Sequence, residues 1–307
     1  MSQRYLNVAR QGKNRWWRYL LGILLTFILW QIVGGLTAGL ILVIVFFAAN
    51  GSAIFSSPSL LQQQLEAFIQ TASIQAFAIL NLPFIFLLIG VFLVVQWLHQ
   101  RPFHTLISAD RSIHLRRLMA GFVAWFLLLA IPTAIDYLLF PQNYIFTFDS
   151  SQWFVLLPIA LILTPLQTSS EEFFFRGYLL QGLGLLTRQP LILILVTNVL
   201  FMVLHLANPE VQRGFVWLAL YYFSLGAFLT LFTLKDDRLE LALGIHAANN
   251  LFVVLFFNAK DSALPTPSVW TVNDAGDPRF SLLLLLVQMG VFYFVFFGRH
   301  RKPASVS

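Results

Sequence analysis

Ser169-Ser170-Glu171-Glu172-Phe173-Phe174-Phe175-Arg176 sets two adjacent carboxylates and a guanidinium inside an apolar run that extends from Trp153 to Leu186. Ionisable groups are costly in hydrocarbon, so within a membrane span they face a bundle interior or a wet cavity and have a task there. Two later apolar runs carry one histidine each, His205 and His246, and the second also carries Asn250. The fold class follows from the setting of these polar groups, and the chemistry from whether they meet.

The hydrophobic content is 58% against 10% charged, and the mean hydropathy is +0.78. Soluble domains carry about a quarter charged residues, so lipid must be the solvent for much of this chain. The apolar runs are long and lack the alternation of membrane barrel strands. The expected class is all-α, a polytopic transmembrane helical bundle forming a single integral domain over 1–307. There is no cysteine, which removes disulfides, thiolate nucleophiles and cysteine metal sites. The net charge of +6 is not read as nucleic-acid binding, because the basic residues crowd beside apolar spans, where they orient a protein in the bilayer. Arg4, Arg10, Lys13, Arg15 and Arg18 precede an apolar stretch from Leu20 to Ala49. That stretch is too long for a signal-peptide core, about 7–15 residues, and reads as a retained first span.

Eight segments meet the requirement of about 20 predominantly apolar residues: roughly 18–48, 74–98, 119–140, 153–172, 190–206, 215–234, 240–257 and 281–298. Gly34-Gly35 can break the first, and the fourth keeps helical spacing to about 186, with Pro158 and Pro165 able to kink it. The N-terminal segment, the connection 99–118 (Arg101, Arg111, Arg116, Arg117), the turn at Arg188 and the tail Arg299-His300-Arg301-Lys302 are basic. The connections 49–73 and 141–152 contain no Lys or Arg, and only Arg213, Lys260 and Arg279 go against the pattern. Both termini are therefore expected in the cytoplasm. The loop 259–280, with Pro265, Pro267, Gly276 and Pro278, is expected to be irregular. No targeting segment is recognisable, so a bacterial-type plasma membrane or a thylakoid is the expected setting.

Depth tests whether the polar groups converge. Glu171 lies 17 residues before Arg188 and His205 lies 17 after it, so both stand about 25 Å from that turn on an antiparallel hairpin. His246 follows the turn near Asp237 by fewer residues and is shallower by roughly 10 Å if the two turns are level. Convergence thus requires the first hairpin to project further. His246 and Asn250 share a helix face, as do Glu172 and Arg176, and Phe201 and His205. Glu171 and Glu172 point about 100° apart. Glu172 is placed to pair with Arg176, which leaves Glu171 free to turn toward a cavity.

Such a set suits peptide hydrolysis. A desolvated glutamate can act as general base on water, and a nearby histidine can share the proton and deliver it to the leaving amine. A second histidine and an asparagine amide can donate to the developing oxyanion. Glu171-Glu172-x-x-x-Arg176, Phe201-x-x-x-His205 and His246-x-x-x-Asn250, in that order on successive spans, resemble the three motifs of the CPBP family of intramembrane proteases. This is the group related to the type II CAAX prenyl endopeptidase and also called the Abi family. The match covers about 153–257, the expected catalytic core. The resemblance implies a glutamate-dependent endopeptidase that needs no cofactor, with its site open to the cytoplasm and a membrane-associated, in some members prenylated, substrate. It assigns water activation to Glu171 and His205 and oxyanion stabilisation to His246 and Asn250, with Glu172, Arg176 and Phe201 supporting them. Such proteins were once read as metalloproteases; some confer bacteriocin immunity or process membrane peptides.

Blander readings stand beside this one. The acidic pair and Arg176 can form a packing ion network, His205 an interhelical hydrogen bond, and Asn250 interhelical glue, with Asn249 able to take its role. Asp136, close to an outer helix end, reads as structural. Two Glu and two His can in principle bind zinc, although the chain has no His-Glu-x-x-His helix. A non-enzymatic membrane scaffold or immunity protein is the competing class. A proton-coupled transporter fits less well, because no repeated half is visible.

Overall fold

In the computed structural model, residues 3–52, 57–110 and 112–298 are described; Arg111 and the basic tail from Arg299 lie outside them. Six helices are long and apolar enough to cross a membrane: α1 (Trp16–Asn50), α3 (Ile74–Leu98), α4 (Leu115–Leu139), α5 (Ser150–Leu183), α7 (Phe215–Asp236) and α9 (Pro278–Phe297). The segments expected at 190–206 and 240–257 are helical too, as α6 (Pro190–His205) and α8 (Glu240–Leu255). Each has 16 residues and so reaches about 24 Å, short of a hydrocarbon core of about 30 Å. The all-α membrane bundle is as expected: among the described residues, six helices are long enough to span by length and composition, and the other two expected segments are shorter apolar helices.

The first span does not break at Gly34-Gly35: a π-helical stretch, Ile28–Gly34, carries the helix through. The connection 49–73 holds a further helix, α2 (Pro58–Gln70), capped by the Ser57 hydroxyl accepting from Leu60 N. The fourth span does continue past Glu172 as expected. It begins at Asp149, whose carboxylate accepts from Ser151 N and Gln152 N, and passes Pro158 and Pro165 before a second π-helical stretch, Phe173–Leu179. Such bulges widen the turn, and they gather at functional sites. Here one begins directly after Glu172.

The connections sort into two opposed clusters. At one end, Arg4 pairs with Asp110, Arg188 donates to Asn7, Tyr5 N donates to Asp237 Oδ1, and Leu239 N donates to Ile107 O. The N-terminal segment, the 99–114 connection and the turns at 184–189 and 237–239 therefore share one face. At the other end, a small sheet runs in the order β1 (Tyr144–Phe146), β3 (Trp270–Val272), β2 (Phe257–Ala259), antiparallel then parallel. The loop expected to be irregular thus contributes a strand. Arg213 pairs with Asp261 beside this sheet, and Arg279 lies over Trp217, 5.3 Å from the ring centroid.

Between the faces, α4 and α8 approach to backbone contact. A Cβ on Gly244 would lie 2.1 Å from Leu118 O, and one on Gly121 would lie 2.9 Å from Leu241 O. Small residues at a crossing allow this closeness. The contact fixes α8, and with it His246 and Asn250, against the rest of the bundle.

Candidate active site

Glu172 is completely buried. Its Oε1 accepts from Arg176 Nη1 at 2.9 Å, one helical turn on, and from His246 Nδ1 at 2.8 Å across from α8. Arg176 Nη2 reaches Asn198 Oδ1 at 3.2 Å, and Asn198 Nδ2 donates to Thr230 at 3.0 Å. The guanidinium lies over Phe201, 4.4 Å from the ring centroid. Both charges of this ion pair are removed from water, so the hydrogen bonds and the ring face must replace hydration. The pairing expected for Glu172 and Arg176 is present, and it holds one end of the His246 ring.

Glu171 turns the other way, into a cavity of about 560 Å³ that also reaches His205, His246 and Asn250. Its Oε1 accepts from Gln167 Nε2 at 2.9 Å. Its Oε2 is buried, makes no hydrogen bond among the described residues, and lies 3.9 Å from His246 Nε2. The polar groups therefore do meet, which means that the two turns are not level.

The histidine tautomers follow from their partners. His205 Nδ1 lies 2.8 Å from Phe201 O; a carbonyl only accepts, so Nδ1 carries the proton and neutral Nε2 is left as a base. The ring sits between Phe201 and Tyr222, with centroids 4.2 and 4.7 Å away. His246 Nδ1 donates to the Glu172 carboxylate, so its Nε2 donates only in the imidazolium form. Asn250 Nδ2 donates to Gln167 Oε1 at 3.1 Å, and its Oδ1 accepts from Asn249 Nδ2 at 3.1 Å. Trp125 Nε1 in turn donates to Asn249 at 3.3 Å. An amide chain from Trp125 through Asn249, Asn250 and Gln167 thus ends on Glu171.

Gln167, Tyr222 and Glu210 were not singled out from the sequence. Gln167 did carry a signal, an amide four residues before Glu171 on the same helix face. Tyr222 donates to Glu210 Oε1 at 2.5 Å, a contact across a connection that spacing does not reveal. Asp136 accepts from the Tyr144 hydroxyl, a structural contact near the outer sheet. Among the described residues no three His, Asp or Glu side chains are grouped to hold a metal ion; Glu172 is committed to Arg176 and His246.

The cavity rim comes from the sheet end of the molecule: Asn208, Glu210, Arg213, Ser262, Leu264 and Ala275 contribute. Among the described residues, none of the basic end lines it. Two expectations are therefore incompatible in this fold, because termini in the cytoplasm and a site open to the cytoplasm would need rim and termini on the same side.

No solved structure matches the chain. Residues 150–252 match the family model for the type II CAAX prenyl endopeptidase, Rce1-like, a range that holds all three motifs. The chain is also 35% identical over 297 residues to the uncharacterized protein YyaK of Bacillus subtilis (strain 168), with 96% of each chain covered. With the motifs gathered on one cavity and a relative matched over nearly its whole length, the chain belongs to the Rce1-like, type II CAAX prenyl endopeptidase family of intramembrane proteases.

Proposed function

We propose that this protein is an endopeptidase that cleaves a membrane-associated polypeptide with water activated by Glu171 and His205. The observation that carries the reading is the Oε2 atom of Glu171, buried, without a hydrogen-bond partner among the described residues, and 3.9 Å from His246 Nε2. A water placed there loses a proton to the carboxylate as its oxygen attacks the scissile carbonyl carbon. Neutral His205 Nε2 shares that proton and returns it to the leaving amine. His246, as imidazolium, donates from Nε2 to the oxyanion while Nδ1 stays on Glu172, and the amide proton of Asn250 that Gln167 does not use adds a second donor. Before the step Glu172 offsets Arg176 and Glu171 offsets His246; once Glu171 has taken the proton, the oxyanion becomes the counter-charge to His246. The basic connections support a placement with both termini in the cytoplasm.

The test is cleavage by purified protein in detergent, wild type beside Glu171→Gln, on a farnesylated CAAX peptide and a library of membrane peptides, with and without a strong zinc chelator. Cleavage lost in the variant and insensitive to chelator is expected. Loss on chelation would replace this mechanism with a zinc-dependent one. No cleavage by wild type on any substrate, with a Glu171→Gln strain behaving as wild type, would favour a membrane scaffold.

A further inference from the structure

We infer that the site takes its polypeptide from the extracytoplasmic side, from a membrane-tethered chain that has already been translocated. The first observation is the rim. Ser262, Leu264, Val272 and Ala275 lie in the connection between α8 and α9, and Asn208 and Glu210 lie in the one between α6 and α7. Both connections belong to the sheet end. His205 stacks on Tyr222, with centroids 4.7 Å apart, and Tyr222 is seven residues into α7 from that end, so the catalytic level lies only about 10 Å below it.

The second observation is the seal on the opposite side. Beneath Glu171 stand Glu172 and Arg176, both fully buried, then Tyr178 and Gln181, also at 0% exposure. Tyr5, equally buried, lays its hydroxyl 3.1 Å from Arg176 O and 2.5 Å from Leu106 O. The N-terminal segment is thereby laid across the basic end, and buried side chains fill the space between it and Glu171.

The third observation is charge. Of the nineteen Lys and Arg, Arg213, Lys260 and Arg279 lie at the sheet end and Arg176 lies inside a span. Every other one belongs to the N-terminal segment with Arg18, the 99–118 connection, the turn at Arg188, the turn region with Lys235 and Arg238, or the chain after α9. The three exceptions are engaged locally, Arg213 with Asp261, Lys260 with Asn273, and Arg279 over Trp217. Positive residues are retained in the cytoplasm, so the rim faces the other compartment. The walls of the cavity are apolar (Trp30, Leu80, Phe84, Leu218, Leu225), which suits an apolar stretch of chain rather than a free hydrophilic peptide.

What happens to the bound chain rests on the protease reading, but the side of entry does not, so labelling tests it apart from turnover. The protein has no cysteine. Single-cysteine variants Ala275→Cys and Ser262→Cys at the rim, Val253→Cys in the cavity, and Ser112→Cys at the basic end are exposed to a permanently charged, membrane-impermeant methanethiosulfonate in right-side-out vesicles. Labelling at 275, 262 and 253 is expected before permeabilisation, with labelling at 112 only after it. Labelling of Ser112→Cys from outside would overturn the orientation. Labelling of Val253→Cys only from the same side as Ser112→Cys would overturn the direction of entry. If cleavage failed on every substrate while this pattern held, the protease reading would fall and the outward cavity would stand.

Discussion

At the basic end, Tyr5, His99, Arg101, Tyr178 and Gln181 are buried and joined to one another and to backbone carbonyls. His99 donates from Nδ1 to Lys13 O and accepts from the Tyr178 hydroxyl, both at 2.9 Å. Arg101 reaches Gln181 at 2.6 Å, and Gln181 donates to Thr105 O. Toward the sheet end, Glu171, His205, His246 and Asn250 instead line a cavity, and Oε2 of Glu171 makes no hydrogen bond among the described residues. Buried polarity alone does not mark a site. The difference lies in access: Oε2 of Glu172 is also without a hydrogen-bond partner among the described residues, but Glu171 lines the cavity and Glu172 does not. Glu171 and Glu172 stand on either side of that boundary, one residue apart.

The sharpest way to break this comparison is to exchange the fates of the two carboxylates. Glu171→Gln keeps the shape and should leave the fold intact while cutting the cleavage rate about 10²–10⁴-fold, read as kcat on a cleaved peptide. Glu172→Ala should strike the fold directly. It leaves a buried guanidinium unpaired, and breaking a buried pair costs about 3–5 kcal/mol, seen as a lowered unfolding midpoint in detergent. If Glu172→Ala unfolds no more readily than Glu171→Gln, the two sides of the boundary are not different in kind.

Gln167→Leu tests the open side more gently. It removes the donor to Glu171 Oε1 while keeping the bulk. A hydrogen bond to a charged group is worth about 1.5–3 kcal/mol, so kcat should fall roughly 10–100-fold with the unfolding midpoint little changed. A loss as large as that of Glu171→Gln would mean that Gln167 touches the reacting atoms.

The smallest effect belongs to the closed side. Burial pushes His99 down to about 4. Between that value and an unfolded value of about 6.5, the unfolded chain binds a proton that the folded chain does not, so stability rises with pH across this window. The thermal midpoint should be flat above about pH 6.5 and fall as pH drops toward 4. His99→Gln should have a shallower slope than wild type over the same range. An equal slope would place the sensitivity elsewhere.

The apolar runs were legible in the sequence because lipid demands length and composition, and those are local properties. The motif residues were legible for the same reason, since a charge in such a run stands out. Spacing also gave the Glu172–Arg176 pairing, because i and i+4 share a helix face. What spacing could not give was anything that depends on how helices cross. His246 meets Glu172 despite its different distance from the nearest turn, and Gly244 and Gly121 matter only because α4 and α8 come into backbone contact. The π-helical stretches have no hydrophobic signature of their own. The sheet is assembled from three connections far apart in the chain, and none of them alternates over a long enough run to read as a strand. The direction of the cavity was likewise invisible, because it depends on which connections stand around one mouth.

Tyr5 has a consequence for the order of events during synthesis. Its partners are carbonyls of Leu106 and Arg176 and the carboxylate of Asp237, so Tyr5 waits for a residue made 232 positions later. Folding generally follows the order in which the chain emerges, yet here an early segment docks late. The segment before α1, held near the membrane by its own arginines, closes the basic end only after α7 has returned to it, so that end is sealed by a stretch made well before the helix that receives it.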